Sequence, residues 1–218
     1  MSSTAILANG RVLRYSFHER LVHWLAGLSY LYLLLTGLAF WSPWLFWLAV
    51  ILGGGTASRE LHPWTGLLFF IAVLLMYRIW AAQMRETAAD RAFWRALPHY
   101  VRNEDELVPP AERFNAGQKW LFWGFFWCAI FLLLSGLVLW YPQWIPGNLR
   151  VLRYTAVLLH SVAALFTIGL FILHVYMGTA MERGSFHAMV RGDVSAAWAR
   201  SYHRLWYEEL ARDAAAKK

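Results

Sequence analysis

Cysteine is almost absent from this sequence of 218 residues. The single cysteine, Cys128, lies inside a long apolar run. One cysteine can form no disulfide within the chain, and it cannot hold an iron–sulfur cluster alone. If the chain carries electrons, its redox centres must therefore be haems or belong to a partner.

Charge is scarce as well, and apolar residues take its place. Only 15% of the residues are charged, whereas 59% are apolar and 14 are Trp, which is outside the range of soluble globular proteins. Four apolar runs reach or approach the ~20 residues that cross a hydrocarbon core of ~30 Å. The predicted spans are about residues 21–41, 61–80, 119–141 and 152–181. They predict an all-α integral membrane protein, a four-helix bundle that forms a single domain over residues 1–218.

The remaining segments connect these spans. The first apolar run continues past Pro43, so we expect a short apolar segment at the membrane surface after the first span. The connection over residues 82–118 mixes both charge signs and predicts a short amphipathic helix near residues 92–101. The tail, residues 183–218, places aromatic residues among charges and predicts an interfacial helix.

Lys and Arg are distributed unequally between the two ends of the predicted spans. The N-terminal arm, the 82–118 connection with its edges and the tail together hold 17 (3 + 7 + 7), and the two other connections hold 3, of 20 in all. Because Lys and Arg accumulate on the cytoplasmic side, we predict that both termini are cytoplasmic. The net charge of +7 follows from this topology and requires no nucleic-acid partner.

Two of the eight histidines lie inside the fourth span. His160 and His174 are fourteen residues apart, which places them on the same helix face and separates them by ~21 Å along the axis. A polar side chain inside a span usually faces the bundle interior and has a partner. This spacing predicts two stacked sites between the helices.

Each site needs a second ligand from another helix. In the predicted topology, His62 begins the second span near the outer face and matches the depth of His160. His23 begins the first span near the cytoplasm and matches His174. His18, five residues before His23 and outside the apolar run, is the rival to His23 for the inner pair.

Two imidazoles per site indicate b-type haem, because the porphyrin supplies the other four ligands of the iron. A structural zinc ion would need four protein ligands, and a di-iron site would need carboxylates, which these spans lack. Gly37 and Gly66 lie where a flat macrocycle would approach a helix. The alternative is that the histidines are hydrogen-bonded packing residues of a membrane helix.

Four short motifs resemble the cytochrome b (gamma) subunit of respiratory formate dehydrogenase. They are HW at His23–Trp24, LHP at Leu61–Pro63, FNAGQK at Phe114–Lys119, and two histidines fourteen apart followed by VYM, ending at Met177. The tail GSFHAMVRGDVSAAWARSYHRLWYEE also looks like this family. The histidine pattern alone is shared with b-type cytochromes of membrane nickel–iron hydrogenases, whereas NAGQK favours formate dehydrogenase.

The resemblance implies a set of sites. His62 and His160 would bind the outer haem b, and His23 and His174 the inner one. Asn115 and Gly117 match positions where this family binds menaquinone, and Gln118 is adjacent to them. Asn115 could equally serve as the N-cap of the third span.

The expected function is electron transfer across the bacterial inner membrane. As a subunit of an oxidoreductase complex, the chain would carry electrons from an iron–sulfur beta subunit to menaquinone or another quinone on the cytoplasmic side, contributing to proton-motive force. Formate oxidation would belong to a catalytic alpha subunit with molybdenum or tungsten. The alternatives are the b-type cytochrome subunit of a membrane nickel–iron hydrogenase or a related oxidoreductase, and a haem-free membrane anchor.

Overall fold

The computed structural model describes residues 6–7, 10–102 and 104–216. Lys217 and Lys218, which contribute to the predicted charge of the tail, lie outside the described residues. The chain packs as two compact units, called unit 1 and unit 2. Unit 1 comprises Met1–Arg20, Ile79–Trp123 and His174–Lys218, and unit 2 comprises Leu21–Arg78 and Gly124–Leu173.

Four long helices dominate the described residues. They are α1 (Phe17–Trp41), α3 (Gly55–Trp80), α5 (Ala116–Trp140) and α6 (Arg150–Tyr176). Each belongs to a helical segment that is long and apolar enough to cross a membrane. The predicted fold class, a helical membrane protein with four spans, is confirmed, while the limits of the spans within these helices and the cytoplasmic position of the termini stay predictions.

Short elements complete the chain. The helices are α2 (Trp47–Ile51), α4 (Ala88–Val101), α7 (Ser185–Arg191), α8 (Ala196–Tyr202) and α9 (Arg204–Ala216), and strands β1 (Arg11–Leu13) and β2 (Asp193–Ser195) form an antiparallel pair. Helix α2 lies in the apolar segment expected after the first span. Helix α4 begins four residues before the predicted amphipathic helix. Its N-cap Thr87 and Asp90 form a capping box, which hydropathy alone cannot reveal.

Unit 2 is held together by an apolar core that contains one tyrosine. Tyr30 of α1 packs against the rings of Phe69, Phe125 and Phe171 at centroid distances of 5.8, 5.9 and 5.1 Å. Its hydroxyl donates to Thr167 Oγ1 at 3.2 Å, so the polar end of this buried side chain is satisfied.

Unit 1 joins the N-terminal arm to the tail. β1 pairs with β2, and the backbone N–H groups of Arg14 and Tyr15 both donate to Gly192 O, at 2.8 and 2.9 Å. Gly192 ends α7 with a φ of +97°, and a Cβ there would lie 2.8 Å from Tyr15 O. This position therefore requires glycine for both its backbone conformation and the close approach of the arm.

Local capping sets where α1 begins in unit 1. Ser16 N donates to Glu19 Oε2 at 2.7 Å, and Glu19 N donates to Ser16 Oγ at 3.3 Å. This reciprocal capping box starts the helix at Phe17, four residues before the apolar run. His18, the rival ligand, is therefore helical and exposed.

Candidate functional site

His62 of α3 and His160 of α6 face each other inside unit 2. Their ring centroids are 6.4 Å apart and their planes are inclined by 57°. Both side chains are half-buried. The structure therefore brings together the two histidines that depth matching assigned to the outer site.

A hydroxyl on α1 holds the His62 ring. Thr36 Oγ1 lies 2.7 Å from His62 Nδ1 and 2.8 Å from the carbonyl oxygen of Tyr32. The hydroxyl has one proton, which it donates to that carbonyl, so it accepts from the imidazole Nδ1–H. The unprotonated nitrogen of His62 is then Nε2, the atom that can bind a metal.

The second ring is held in the same way from α5. Ser135 Oγ lies 3.0 Å from His160 Nδ1 and donates to the carbonyl oxygen of Phe131 at 2.6 Å. Nδ1 of His160 therefore carries the proton, and Nε2 is unprotonated. Histidines that ligate a metal typically donate their other ring N–H to an oxygen acceptor, which fixes the tautomer and the ring orientation.

Glycine follows each of these hydroxyl residues. A Cβ at Gly37 would lie 3.8 Å from His62 Cε1, and one at Gly136 would lie 3.3 Å from His160 Cε1. At Gly66, one turn after His62, a Cβ would meet no described atom within 4 Å. Helices α1 and α5, which carry no outer-site histidine, thus approach the imidazole rings closely. Beside α3, which carries His62, the position of Gly66 leaves open space.

These residues fit a b-type haem. Two imidazoles that held one iron, at about 2 Å per bond, would have ring centres roughly 6 Å apart, close to the 6.4 Å between His62 and His160. Both rings have the tautomer that leaves Nε2 for the iron. The pair requires no carboxylate or thiolate, in agreement with the composition of the spans.

The inner histidines fall in different units. His23 belongs to unit 2, where it is half-buried and contacts Trp24 edge-to-face at 5.8 Å. His174 belongs to unit 1 and lies in the last turn of α6. Their pairing therefore stays a prediction.

Asn115 and Gln118 cap the start of α5. Asn115 Oδ1 accepts from Gln118 N at 2.9 Å, and Gln118 Oε1 accepts from Asn115 N at 3.1 Å. Asn115 Nδ2 also donates to Glu182 Oε1 at 2.7 Å. Asn115 therefore has the capping role that the sequence allowed. Gly117 lies within this first turn, and a Cβ at Gly117 would lie 3.4 Å from Asn115 Oδ1.

Sequence reasoning missed Thr36, Ser135 and Glu182. The signal for the first two is a hydroxyl–glycine pair, Thr36–Gly37 and Ser135–Gly136, once in each helix that lacks an outer-site histidine. Glu182 follows the fourth predicted span directly, and a carboxylate beside an apolar run is the signal that could have found it.

Comparison with known proteins identifies the family. Residues 14–192 match the family described as prokaryotic cytochrome b561. The chain is 34% identical to the formate dehydrogenase cytochrome b556(fdo) subunit of Escherichia coli strain K12, over 91% of this chain and 93% of that protein. It is 29% identical to the nitrate-inducible formate dehydrogenase cytochrome b556(Fdn) subunit of the same strain, over 95% of each.

A third relative extends this similarity to another organism. The formate dehydrogenase cytochrome b556 subunit of Haemophilus influenzae is 30% identical over 96% of this chain and 87% of its own length. The family match over residues 14–192 covers the four long helices and the histidines of the two predicted sites. The chain therefore belongs to the prokaryotic cytochrome b561 family, and it is a multi-pass b-type cytochrome of the bacterial inner membrane.

Proposed function

We propose that this chain is the di-haem b membrane subunit of a formate dehydrogenase complex, delivering electrons from a periplasmic partner to a quinone at the cytoplasmic side. The facing pair of His62 and His160, with Nδ1 of each ring fixed by a hydroxyl, carries the proposal. The similarity to three formate dehydrogenase cytochrome subunits supports the choice of complex.

At the outer site, His62 and His160 would hold the haem iron, and Thr36 and Ser135 keep both rings in the tautomer that leaves Nε2 unprotonated. The haem supplies one-electron transfer when bound. The glycine after each hydroxyl lets its helix approach the ring. Half-burial of both histidines limits access of water to the ligands.

At the inner site, His23 and His174 would hold the second haem. Their support is the matched depth in the sequence and the ~21 Å that fourteen helical residues place between His160 and His174. Tyr30 lies seven residues after His23 and six before Thr36 on α1, within the apolar core of unit 2. The side chain of Tyr30 is thus packed in the core at a level of α1 between His23 and Thr36. This packing favours separate inner and outer haem sites.

The distribution of Lys and Arg supports the direction of transfer. With both termini cytoplasmic, His62 and His160 lie near the outer face, where an iron–sulfur beta subunit would donate electrons. The catalytic alpha subunit, with molybdenum or tungsten, would hold the formate site. The direction of electron transfer would then be from the outer face toward the cytoplasmic side.

Asn115, Gly117 and Gln118 form the proposed quinone site at the start of α5. The first N–H groups of a helix have no partner within it and favour developing negative charge. Gly117 has no Cβ, so a quinone carbonyl can approach its backbone N–H, and Asn115 Nδ2 keeps one N–H beyond the bond to Glu182. Reduction to the quinol takes two electrons and two protons. Taking the protons from the cytoplasm adds to the proton-motive force.

Haem stoichiometry in the purified chain and quinone reduction by the complex test this proposal together. We expect two haems b per chain in a pyridine haemochrome assay with a protein determination. His174→Ala should leave one haem and abolish formate-dependent quinone reduction, because the inner iron loses a ligand. His18→Ala, an exposed histidine on α1, is the matched control and should keep both haems.

Other outcomes would contradict the proposal in different ways. Two haems in His174→Ala would refute the inner pair, and loss of one haem in His18→Ala would replace His23 by its rival. No haem in protein expressed with ample haem would make the chain an anchor only. Co-purification with a nickel–iron protein would assign it to a hydrogenase complex.

A further inference from the structure

Glu182 is a buried carboxylate surrounded by neutral hydrogen-bond donors. It follows a π-helical turn after α6 and is 4% exposed. Oε1 accepts from Asn115 Nδ2 at 2.7 Å and Tyr100 OH at 3.2 Å. Oε2 accepts from Ser185 Oγ at 3.2 Å and Gln118 Nε2 at 3.4 Å. Two of these four donors are the amide side chains of the proposed quinone site.

The other buried carboxylates of unit 1 are different. Asp90 Oδ2 lies 2.7 Å from Lys119 Nζ, and Glu19 Oε1 lies 2.8 Å from Arg113 Nη2. Each of them therefore has a cation in direct contact. Among the described residues, no cation forms an ion pair with Glu182, so its charge is not neutralised by a contact.

The groups that face Glu182 come from four elements. Arg14, between β1 and α1, attracts its negative charge from beyond contact distance. Tyr100 of α4, Asn115 and Gln118 at the start of α5, and Ser185 of α7 provide the hydrogen bonds. Burial raises the pKa of Glu182 despite these groups, because removal from water disfavours the carboxylate more than they stabilise it.

We propose that Glu182 is the proton-exchanging residue of the quinone site and orients the amides of Asn115 and Gln118 there. The inference rests on the proposed function. The partner dehydrogenase supplies two electrons per quinone, and the quinone oxygens take up two protons to give the quinol. For each proton that the Glu182 carboxylic acid releases toward the quinone, its O–H bond breaks, a quinol O–H bond forms, and the carboxylate takes a proton back from water.

The surroundings of Glu182 suit this exchange. Ser185 and Tyr100 are half-buried, so their hydroxyls link the buried carboxylate to more exposed surface. A group whose charge changes in each cycle must not be locked by a contacting cation, which would hold it ionised. Glu182 meets this condition, whereas Asp90 and Glu19 do not.

The test is Glu182→Gln in the intact complex, assayed with formate and a short-chain naphthoquinone across a pH series. Glutamine keeps the size and hydrogen-bonding capacity of the side chain but cannot release a proton. We expect the quinone-reduction rate to fall about tenfold or more. The wild-type rate should decline as pH rises through the raised pKa of Glu182, since the acid form disappears, and the variant should lack this decline.

Controls separate proton exchange from structure. Haem content and the rate with an artificial dye that accepts electrons from the dehydrogenase partner should stay unchanged. Glu209→Gln, the same change at an exposed glutamate on α9, should leave both the rate and the pH profile at wild-type values. Glu182→Asp, which keeps a titrating group, should restore part of the rate and the decline with pH.

Asn115→Ala distinguishes this inference from the proposed function. If Asn115→Ala slows quinone reduction while Glu182→Gln keeps the wild-type rate and pH profile, the inference on Glu182 is wrong and the quinone site stands. If neither variant changes quinone reduction, the site itself is wrong. A slower Glu182→Gln complex with the wild-type pH profile would show a structural role only and would overturn the inference.

Discussion

The two units bury different kinds of polar side chain. In unit 2 the buried polar residues are all hydroxyl-bearing: Ser29, Thr36, Ser58, Ser135 and Thr167. In unit 1 they are ionisable or amide side chains: Arg14, Glu19, Asp90, Asn115, Lys119, Glu182 and His203. The chain thus confines its buried charges to one unit.

The physical reason is the cost of burying a charge in a medium of low dielectric. A serine or threonine in a helix can donate to the carbonyl four residues earlier, as Thr36 and Ser135 do. Such a residue needs no partner outside its own helix. A buried cation or carboxylate needs several partners, and unit 1 supplies them from different segments, such as Asp90 and Glu112 for Lys119.

The same comparison separates the two proposed chemistries. In unit 2, hydroxyls hold His62 and His160 in one tautomer, which suits metal ligands that must not change protonation. In unit 1, the described residues that donate hydrogen bonds to Glu182 are neutral, which suits a residue that exchanges protons. The titratable groups of an electron-transfer site are therefore best held in one protonation state, whereas those of a proton-transfer site must be able to change theirs.

Removing the Lys119 ammonium should have the largest effect on stability. Lys119→Met leaves Asp90 buried without its cation, so we expect the free energy of unfolding to fall by about 3–5 kcal/mol. Thermal or denaturant unfolding in detergent measures this. The exposed pair Arg204–Glu208, at 3.6 Å, is the control, and Arg204→Met should cost at most about 0.5 kcal/mol.

A double variant sharpens this prediction. Lys119→Met combined with Asp90→Leu removes both charges, so it should recover part of the loss, because the unpaired carboxylate is gone. If Lys119→Met and Arg204→Met lowered the free energy of unfolding equally, the buried ion pair of Lys119 with Asp90 would not stabilise unit 1 more than an exposed pair does.

The hydroxyls of unit 2 should have a smaller effect, on haem retention. Ser135→Ala removes the acceptor for His160 Nδ1–H, so we expect roughly tenfold weaker haem binding at the outer site. Haem loss to an acceptor protein measures this. Ser29→Ala is the control, because Ser29 Oγ donates to carbonyls of its own helix, at 2.7 and 3.0 Å. Similar haem loss from both variants would refute the role of Ser135.

The smallest effect concerns His203 and pH. His203 Nδ1 donates to Glu112 O at 2.7 Å, and Nε2 accepts from Arg14 Nη2 at 3.0 Å, so the ring is neutral. Burial, together with Arg14, lowers the pKa of His203 well below its usual value. The unfolded chain then binds more protons in acid, and stability should fall by about 1 kcal/mol from pH 6.5 to 5.5.

Melting temperatures at these two pH values check this loss of stability. His203→Gln, which does not titrate, should show a smaller difference between pH 6.5 and 5.5 than the wild type. His187→Gln, at an exposed histidine on α7, should retain the wild-type difference. A wild-type melting temperature that is the same at both values would contradict the prediction.

Much of the fold could be predicted from local properties of the sequence. Long apolar runs indicated the four spans, because a helix in hydrocarbon satisfies its own backbone hydrogen bonds. Helix α1 begins four residues before the apolar run, and α4 begins four residues before the predicted amphipathic helix, since capping boxes at Ser16 and Thr87 extend these helices into polar sequence. The proximity of His62 and His160 could be predicted because depth along a membrane helix follows from residue counting.

The sequence by itself determined the protein class and the four spans. It also predicted that His62 and His160 lie close together, and it offered the start of α5 as a candidate site. Hydropathy and helical periodicity act along one chain segment, so they can be read from it. Only the tertiary structure decided that Thr36 and Ser135 hold the rings, that β1 pairs with β2, and that Glu182 contacts Asn115. These contacts join residues far apart in the chain, and their energies depend on distance and orientation, which no single segment specifies.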